Sequence, residues 1–79
     1  MLQAAQIRAA RALLNWHQED LARRANIGLA TIQRLEKTPA GPVMAHVATV
    51  VKIAECLKEA GIVFFDVDSN GGIGVRLRK

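Results

Sequence analysis

Apolar residues recur at steps of three and four along most of this 79-residue chain, and this spacing constrains the fold more than any other feature. Such steps place side chains on one face of an α-helix. The core must be built from Ala, Leu, Ile and Val, because Trp16, Phe64 and Phe65 are the only aromatic residues. A chain of this length is too short for two separate cores. The sequence therefore predicts a mainly α, single-domain fold, with helices over residues 3–14, 18–25, 29–36 and 46–60.

The segment between the third and fourth predicted helices, residues 38–45, contains Pro39, Gly41 and Pro42. Proline and glycine interrupt helices and are typical of turns. We therefore expect this segment to be a surface loop. Gly61 is placed to end the fourth helix, because glycine adopts the left-handed conformation common just after a helix.

The spacing changes after Gly61, where apolar residues begin to alternate with other residues. Alternation with a period of two indicates a β-strand. Two such stretches, separated by residues that favour a turn, predict a C-terminal β-hairpin. A lone hairpin is marginally stable in water, so we expect its apolar face to lie on the helices or to pair with another chain.

The turn of this hairpin can be predicted from the faces that each register produces. A two-residue turn at Asn70 and Gly71 would place Phe65 opposite Arg76 and mix apolar with charged residues. A three-residue loop at residues 69–71, with Gly71 left-handed, keeps apolar residues together. This second register is preferred, and it pairs Val67 with Ile73, Phe65 with Val75 and Val63 with Leu77.

The net charge of +4 is concentrated in the N-terminal half. Residues 1–37 contain six basic and three acidic residues, whereas the remainder contains five and four. A concentrated positive charge indicates a polyanionic partner, with nucleic acid the first candidate.

Several classes of protein are disfavoured by the sequence. Cys56 is the only cysteine and cannot form an internal disulfide, and neither His17 nor His46 has partners at the spacing of a metal or catalytic site. We therefore expect no enzyme activity, catalytic residue, metal, cofactor or small-molecule ligand. No apolar run reaches the ~18 to 20 residues of a membrane span, and no cleavable leader is evident, so we expect a cytoplasmic protein.

The second and third predicted helices have the pattern of a helix-turn-helix. Ala22 is small enough for a close approach of the two helices, and Asn26 can adopt the positive φ of the short turn. Ile32 and Leu35 would hold the next helix against the first. This arrangement leaves the outer side of residues 29–35 free to enter the DNA major groove, which is ~12 Å wide.

With this motif in place, residues 7–37, IRAARALLNWHQEDLARRANIGLATIQRLEK, resemble the Xre and Cro/C1-type (lambda-repressor-like) family of helix-turn-helix DNA-binding proteins. The resemblance continues more weakly through residues 48–61. It implies that Gln18 binds phosphate and that Arg11 and Glu36 form a structural ion pair. It also implies that the recognition helix uses Leu29, Ala30, Gln33 and Arg34.

Adding Thr31 of that helix and the neighbouring Lys37 gives the predicted DNA-binding set: Gln18, Leu29, Ala30, Thr31, Gln33, Arg34 and Lys37. The sequence departs from the family at Asn26, where the turn usually has glycine, and at His17 and Gly28, where Ser or Thr usually caps a helix. Asn26 can replace glycine. We expect each of the two helix starts to lose a cap that contributes ~1 kcal/mol.

These observations predict a helix-turn-helix region over residues 1–61 and a hairpin over residues 62–79 within one domain. The predicted function is that of a small dimeric repressor or autoregulator that binds a palindromic double-stranded operator. The residues predicted for dimerisation lie on the last helix and the hairpin: Val51, Phe64, Phe65, Val75 and Leu77. An alternative is a protein-interaction module, such as an antitoxin or antiactivator, that uses the hairpin edge or the last helix.

Overall fold

A computed structural model of the protein describes residues 2–39 and 41–78. These residues form four helices followed by a two-stranded antiparallel hairpin, which confirms the predicted fold class. The elements are α1 Ala4–Leu14, α2 Gln18–Ala25, α3 Leu29–Glu36, α4 Val47–Glu59, β1 Ile62–Phe65 and β2 Gly74–Leu77. None of the described helices combines the length and apolar character that crossing a membrane requires.

Asparagine ends both of the first two helices in the left-handed conformation. Asn15 has φ 58° at the end of α1, and Asn26 has φ 57° at the end of α2. The short side chain of asparagine makes this conformation less costly than it is for most residues. The turn predicted at Asn26 is therefore present, and the Ile27 amide that follows donates to the Ala22 carbonyl at 2.9 Å.

The core lies where the four helices converge. Its largest fully buried side chains come from every helix: Ile7, Leu21, Ile32, Leu35, Ile53 and Leu57. Ala22 and Ala25 are also buried, which allows α2 to approach its neighbours closely. Residues 38–45 do not lie wholly on the surface as predicted, because Val43 is buried and its amide donates to the Leu2 carbonyl at 3.0 Å.

The hairpin packs on α1 and α4, with Ile62 buried and Phe64, Val75 and Leu77 half-buried against the core. Gln6 of α1 is almost fully buried and joins both strands. Its side-chain Nε2 donates to the Phe65 carbonyl at 3.0 Å and to the Gly74 carbonyl at 3.3 Å. These bonds satisfy a buried amide that would otherwise be costly.

The predicted hairpin register is wrong by one residue. The structure pairs Ile62 with Leu77, Phe64 with Val75 and Phe65 with Gly74. Asp68 and Gly71 bond to each other across a two-residue turn at Ser69 and Asn70, and Gly71 is extended at φ 159°. The shift turns β1 over, so that Ile62 and Phe64 face the core instead of Val63 and Phe65, whereas Val75 and Leu77 of β2 still do. The prediction placed Val63, Phe65 and Val67 on the apolar face of the first strand, whereas the structure buries Ile62.

Candidate nucleic-acid interface

Helix α3, the predicted recognition helix, is held to the core by its inner side and presents its outer side to solvent. Ile32 and Leu35 are fully buried. Of the seven predicted DNA-binding residues, four are exposed: Ala30, Gln33, Arg34 and Lys37. The other three, Gln18, Leu29 and Thr31, are half-buried. The helix therefore presents a continuous outer surface that is available to a duplex.

Leu29 occupies the first position of α3, and its side chain packs partly against the core. Ala30, the next residue, is exposed. Both were predicted to bind DNA, where apolar side chains can contact thymine methyl groups in the major groove. The structure leaves Ala30 open and only part of Leu29, so the available apolar surface is smaller than the sequence indicated.

Arg11 and Glu36 form a two-pronged ion pair between α1 and the end of α3. Arg11 Nε donates to Glu36 Oε2 at 2.7 Å, and Arg11 Nη2 donates to Oε1 at 2.7 Å. The Glu36 side chain is only 3% exposed and that of Arg11 19%. Hydrogen bonding to the Glu36 carboxylate raises the pKa of Arg11 above its usual value. The pair fixes the position of α3 relative to α1.

Gln18 is connected to this ion pair, a contact that sequence reasoning missed. Gln18 Nε2 donates to Glu36 Oε1 at 3.2 Å. A side-chain amide nitrogen carries two N–H donors, so one donor remains after this bond. The Glu36 carboxylate thus orients Gln18 at the first residue of α2 while leaving a donor for an anion. The family motif contains both residues, but their spacing alone gives no sign that they touch.

The start of α2 keeps part of the capping that the sequence suggested it would lose. The His17 backbone amide donates to Asp20 Oδ2 at 2.8 Å, the reciprocal half of a capping box. Asp20 also accepts from Arg23 Nη2 at 3.3 Å. The expected loss therefore applies more fully to α3, where Gly28 supplies no side-chain cap.

A cleft between α3 and the start of α4 adjoins the candidate interface and includes residues beyond the predicted set. It is lined by Thr31, Arg34, Met44, Ala45, His46 and Thr49. His46 and Thr49 lie ten or more residues beyond the recognition helix in sequence. No signal in the sequence places them beside Arg34, because the path of the intervening loop decides the distance.

Two further arginines outside the predicted DNA-binding set contact other residues of the chain. Arg8 Nη1 donates to the backbone carbonyl of Glu36 at the end of α3. The guanidinium of Arg24 lies over the Trp16 ring at 4.7 Å from its centre. Both side chains therefore have contacts within the protein.

Within residues 2–39 and 41–78, no three acidic, histidine or cysteine side chains are grouped as a metal would require. Cys56 is half-buried in α4. Burial raises the pKa of its thiol above the usual value, an effect that nearby Arg24 opposes. A raised pKa reduces the fraction of reactive thiolate.

The residues predicted for dimerisation differ in their exposure. Phe64, Val75 and Leu77 are half-buried and pack against the core. Phe65 is 41% exposed, but the Arg76 guanidinium lies over its ring at 5.4 Å. Val51 is 48% exposed on α4. Among these residues, Val51 has the largest exposed fraction.

Comparison with known proteins agrees with this geometry. A family model described as helix-turn-helix, of the Cro/C1 type, matches residues 7–60. This range contains α1 to α4 except for the first three residues of α1, and it covers more than half of the chain. No curated protein sequence matches the chain.

Proposed function

Because the chain belongs to the Cro/C1-type helix-turn-helix family of DNA-binding transcription regulators, we propose that it is a sequence-specific repressor that binds its operator as a homodimer. The observation that carries this proposal is the outer side of α3. Gln33 and Arg34 are exposed there, while Ile32 and Leu35 anchor the helix in the core.

The side chains of this surface suggest separate roles. Arg34 is proposed to bond guanine, since its paired N–H groups match the two acceptors of that base in the major groove. Gln33 bonds adenine or phosphate. Ala30 and the exposed part of Leu29 contact thymine methyl groups, with Thr31 beside them. Gln18 and Lys37 bind phosphate at the two ends of the interface.

Homodimerisation follows from the size of the interface. One short recognition helix contacts few base pairs, and useful specificity requires a second half-site about one helical turn, ~34 Å, away. Two identical subunits related by a two-fold axis would bind a palindromic site. Residues 1–61 provide the DNA-binding region, and residues 62–79 complete the same domain by packing on α1 and α4. We propose that the concentration of the protein controls its occupancy of the operator, which requires no cofactor or small ligand.

The test is selection of binding sites from a pool of random duplexes, followed by titration of the selected duplex with wild-type protein and with Arg34→Ala. We expect one palindromic sequence to be enriched. Arg34→Ala should lose ~1 to 3 kcal/mol of binding free energy per half-site and relax the preference at one base pair.

Arg78→Ala is the matched control, because it removes the same charge from the exposed end of the hairpin. It should bind the selected duplex almost as the wild-type protein does. If no sequence is enriched, or if the two alanine variants lose equal affinity for all duplexes, sequence-specific recognition by α3 is wrong.

A protein-interaction module remains a second candidate. The observation that favours it is the outer edge on each strand of the two-stranded sheet, near Val67, which is 71% exposed. Replacing Gln18, Arg34 and Lys37 together separates the two functions. A DNA-binding regulator loses its affinity for the operator in that variant, whereas a module that binds only protein keeps its affinity for its partner.

A further inference from the structure

The first half of α4 and the loop just before it present apolar side chains that are largely exposed. Met44 and Val47 are each 79% exposed, and Val51 is 48% exposed. Val47 and Val51 are one helical turn apart on the same side. We call Met44, Val47 and Val51 the α4 patch. Met44 also lines the cleft beside Arg34, so the patch is continuous with the proposed DNA interface.

The charges on α4 permit two copies of this surface to approach. The helix contains two lysines and two glutamates, all exposed: Lys52, Lys58, Glu55 and Glu59. The protein as a whole carries +4. Two copies that met through a basic surface would repel each other, whereas α4 contributes no net charge.

The start of α4 is electrostatically incomplete within one chain. His46 makes no side-chain hydrogen bond as the cap, and the first turn contains no acidic residue. The free N–H groups and positive end of the helix favour a nearby carboxylate. Glu55 lies one turn beyond Val51, about 6 Å along the axis, as Val47 lies one turn before it.

We propose that two copies of the chain meet through the α4 patch, with their α4 helices antiparallel about a two-fold axis at Val51. In this arrangement Val51 packs on its own copy. Glu55 of the partner subunit lies beside Val47, at the uncapped start of α4. The proposal rests on the proposed dimeric regulator and assigns its subunit contact to α4 instead of the hairpin.

The size of the patch sets the strength of this contact. Three apolar side chains cover much less than the ~800 Å² per partner that is typical of a stable interface. The free protein is therefore a weak dimer, and binding of two subunits to adjacent half-sites brings the patches together. The expected result is cooperative binding to a duplex with two half-sites.

The experiment compares Val47→Glu with Val67→Glu, a control at an equally apolar and similarly exposed position on the hairpin. Duplexes with one and with two selected half-sites are titrated with each protein. Val47→Glu should lose about tenfold or more of the cooperative affinity, measured relative to its own affinity for one half-site. Val67→Glu should behave as the wild-type protein does.

Glu55→Lys tests the charge contact, because it places a positive charge at the positive end of the partner helix. It should also reduce cooperativity. The α4 contact is wrong if either α4 variant binds two half-sites as the wild-type protein does, or if Val67→Glu loses as much cooperativity as Val47→Glu.

Failure of the proposed function gives a different result. If the wild-type protein binds neither duplex, DNA recognition fails, and sedimentation of the free protein up to millimolar concentration tests the contact alone. Self-association that Val47→Glu abolishes and Val67→Glu keeps supports the α4 contact. A wild-type protein that is monomeric at every concentration overturns it.

Discussion

Glu36 is the residue on which three helices depend. Its carboxylate accepts from Arg11 of α1 and Gln18 of α2, and its backbone carbonyl accepts from Arg8. A single side chain at the end of α3 therefore orients the recognition helix and the first residue of α2 together. A substitution at Glu36 should therefore lower the stability of the fold, although Glu36 itself is not proposed to contact a base.

Replacing Glu36 by Gln should lower the free energy of unfolding by about 3 kcal/mol. The substitution leaves the guanidinium of Arg11 without its counter-charge, and breaking a buried pair costs roughly 3 to 5 kcal/mol. The lower value applies because the Arg11 side chain is 19% exposed. Urea denaturation measures the change. Glu59→Gln, at an exposed site on α4, is the control and should change stability by less than about 0.5 kcal/mol.

An equal loss in Glu36→Gln and Glu59→Gln would mean that the ion pair contributes nothing specific. Replacing Arg11 and Glu36 together by methionine is a second test of the ion pair. The double variant should recover part of the stability, because it buries no unpaired charge.

At the scale of elements, the turn between α2 and α3 depends on the conformation of one residue. Asn26 at φ 57° reverses the chain after α2, and Gly28 at the start of α3 has an ordinary extended conformation. The conformation of Asn26 thus sets the direction in which α3 leaves the turn. The family usually has glycine at this position.

Asn26→Ala should destabilise the protein by about 1 to 2 kcal/mol, because alanine has no side-chain group to offset the cost of the left-handed conformation. Asn26→Gly should be close to neutral, since glycine adopts positive φ readily. Thermal unfolding of the two variants provides the comparison. If Ala and Gly have equal effects, the positive φ of this turn does not limit stability.

The helices could be predicted from the sequence more closely than the hairpin could. The bounds of α2 and α3 agree with the prediction, and those of α1 and α4 differ only at residues that act as caps. Helical spacing and turn residues are local signals. The register of the hairpin depends on Ile62 reaching the core and on Gln6 meeting Phe65 and Gly74, contacts between distant parts of the chain.

The candidate interface likewise combines residues that a local motif predicts with residues that only the fold brings together. The family motif indicated Arg34, Gln33 and Gln18, whereas His46 and Thr49 adjoin Arg34 only through the path of the loop before α4.

At the scale of the whole molecule, the distribution of charge separates the proposed surfaces. Arg34 and Lys37 are exposed on and beside α3, while α4 has equal numbers of lysines and glutamates. One molecule can therefore bind a polyanion through α3 and a copy of itself through the adjoining α4 patch.

The salt dependence of binding should report how many subunits occupy the operator. Each phosphate contact contributes a slope of about 0.9 to the fall of log K with log salt concentration. Lys37→Ala removes one proposed contact per subunit, so a bound dimer should lose about 1.8 from the slope. Titrations at several salt concentrations measure this value. A reduction near 0.9 indicates one subunit per site, and no reduction shows that Lys37 does not contact phosphate.

The bonds from Gln6 to the hairpin have a consequence for the order in which the protein is made. Gln6 is synthesised before both of its acceptors, which lie 59 and 68 residues later. On the ribosome, α1 to α4 emerge before either strand. Until Gly74 has been added, this amide must remain hydrated, which delays the final packing of α1. Nascent chains stalled before β2 should therefore be more sensitive to protease than chains released after it.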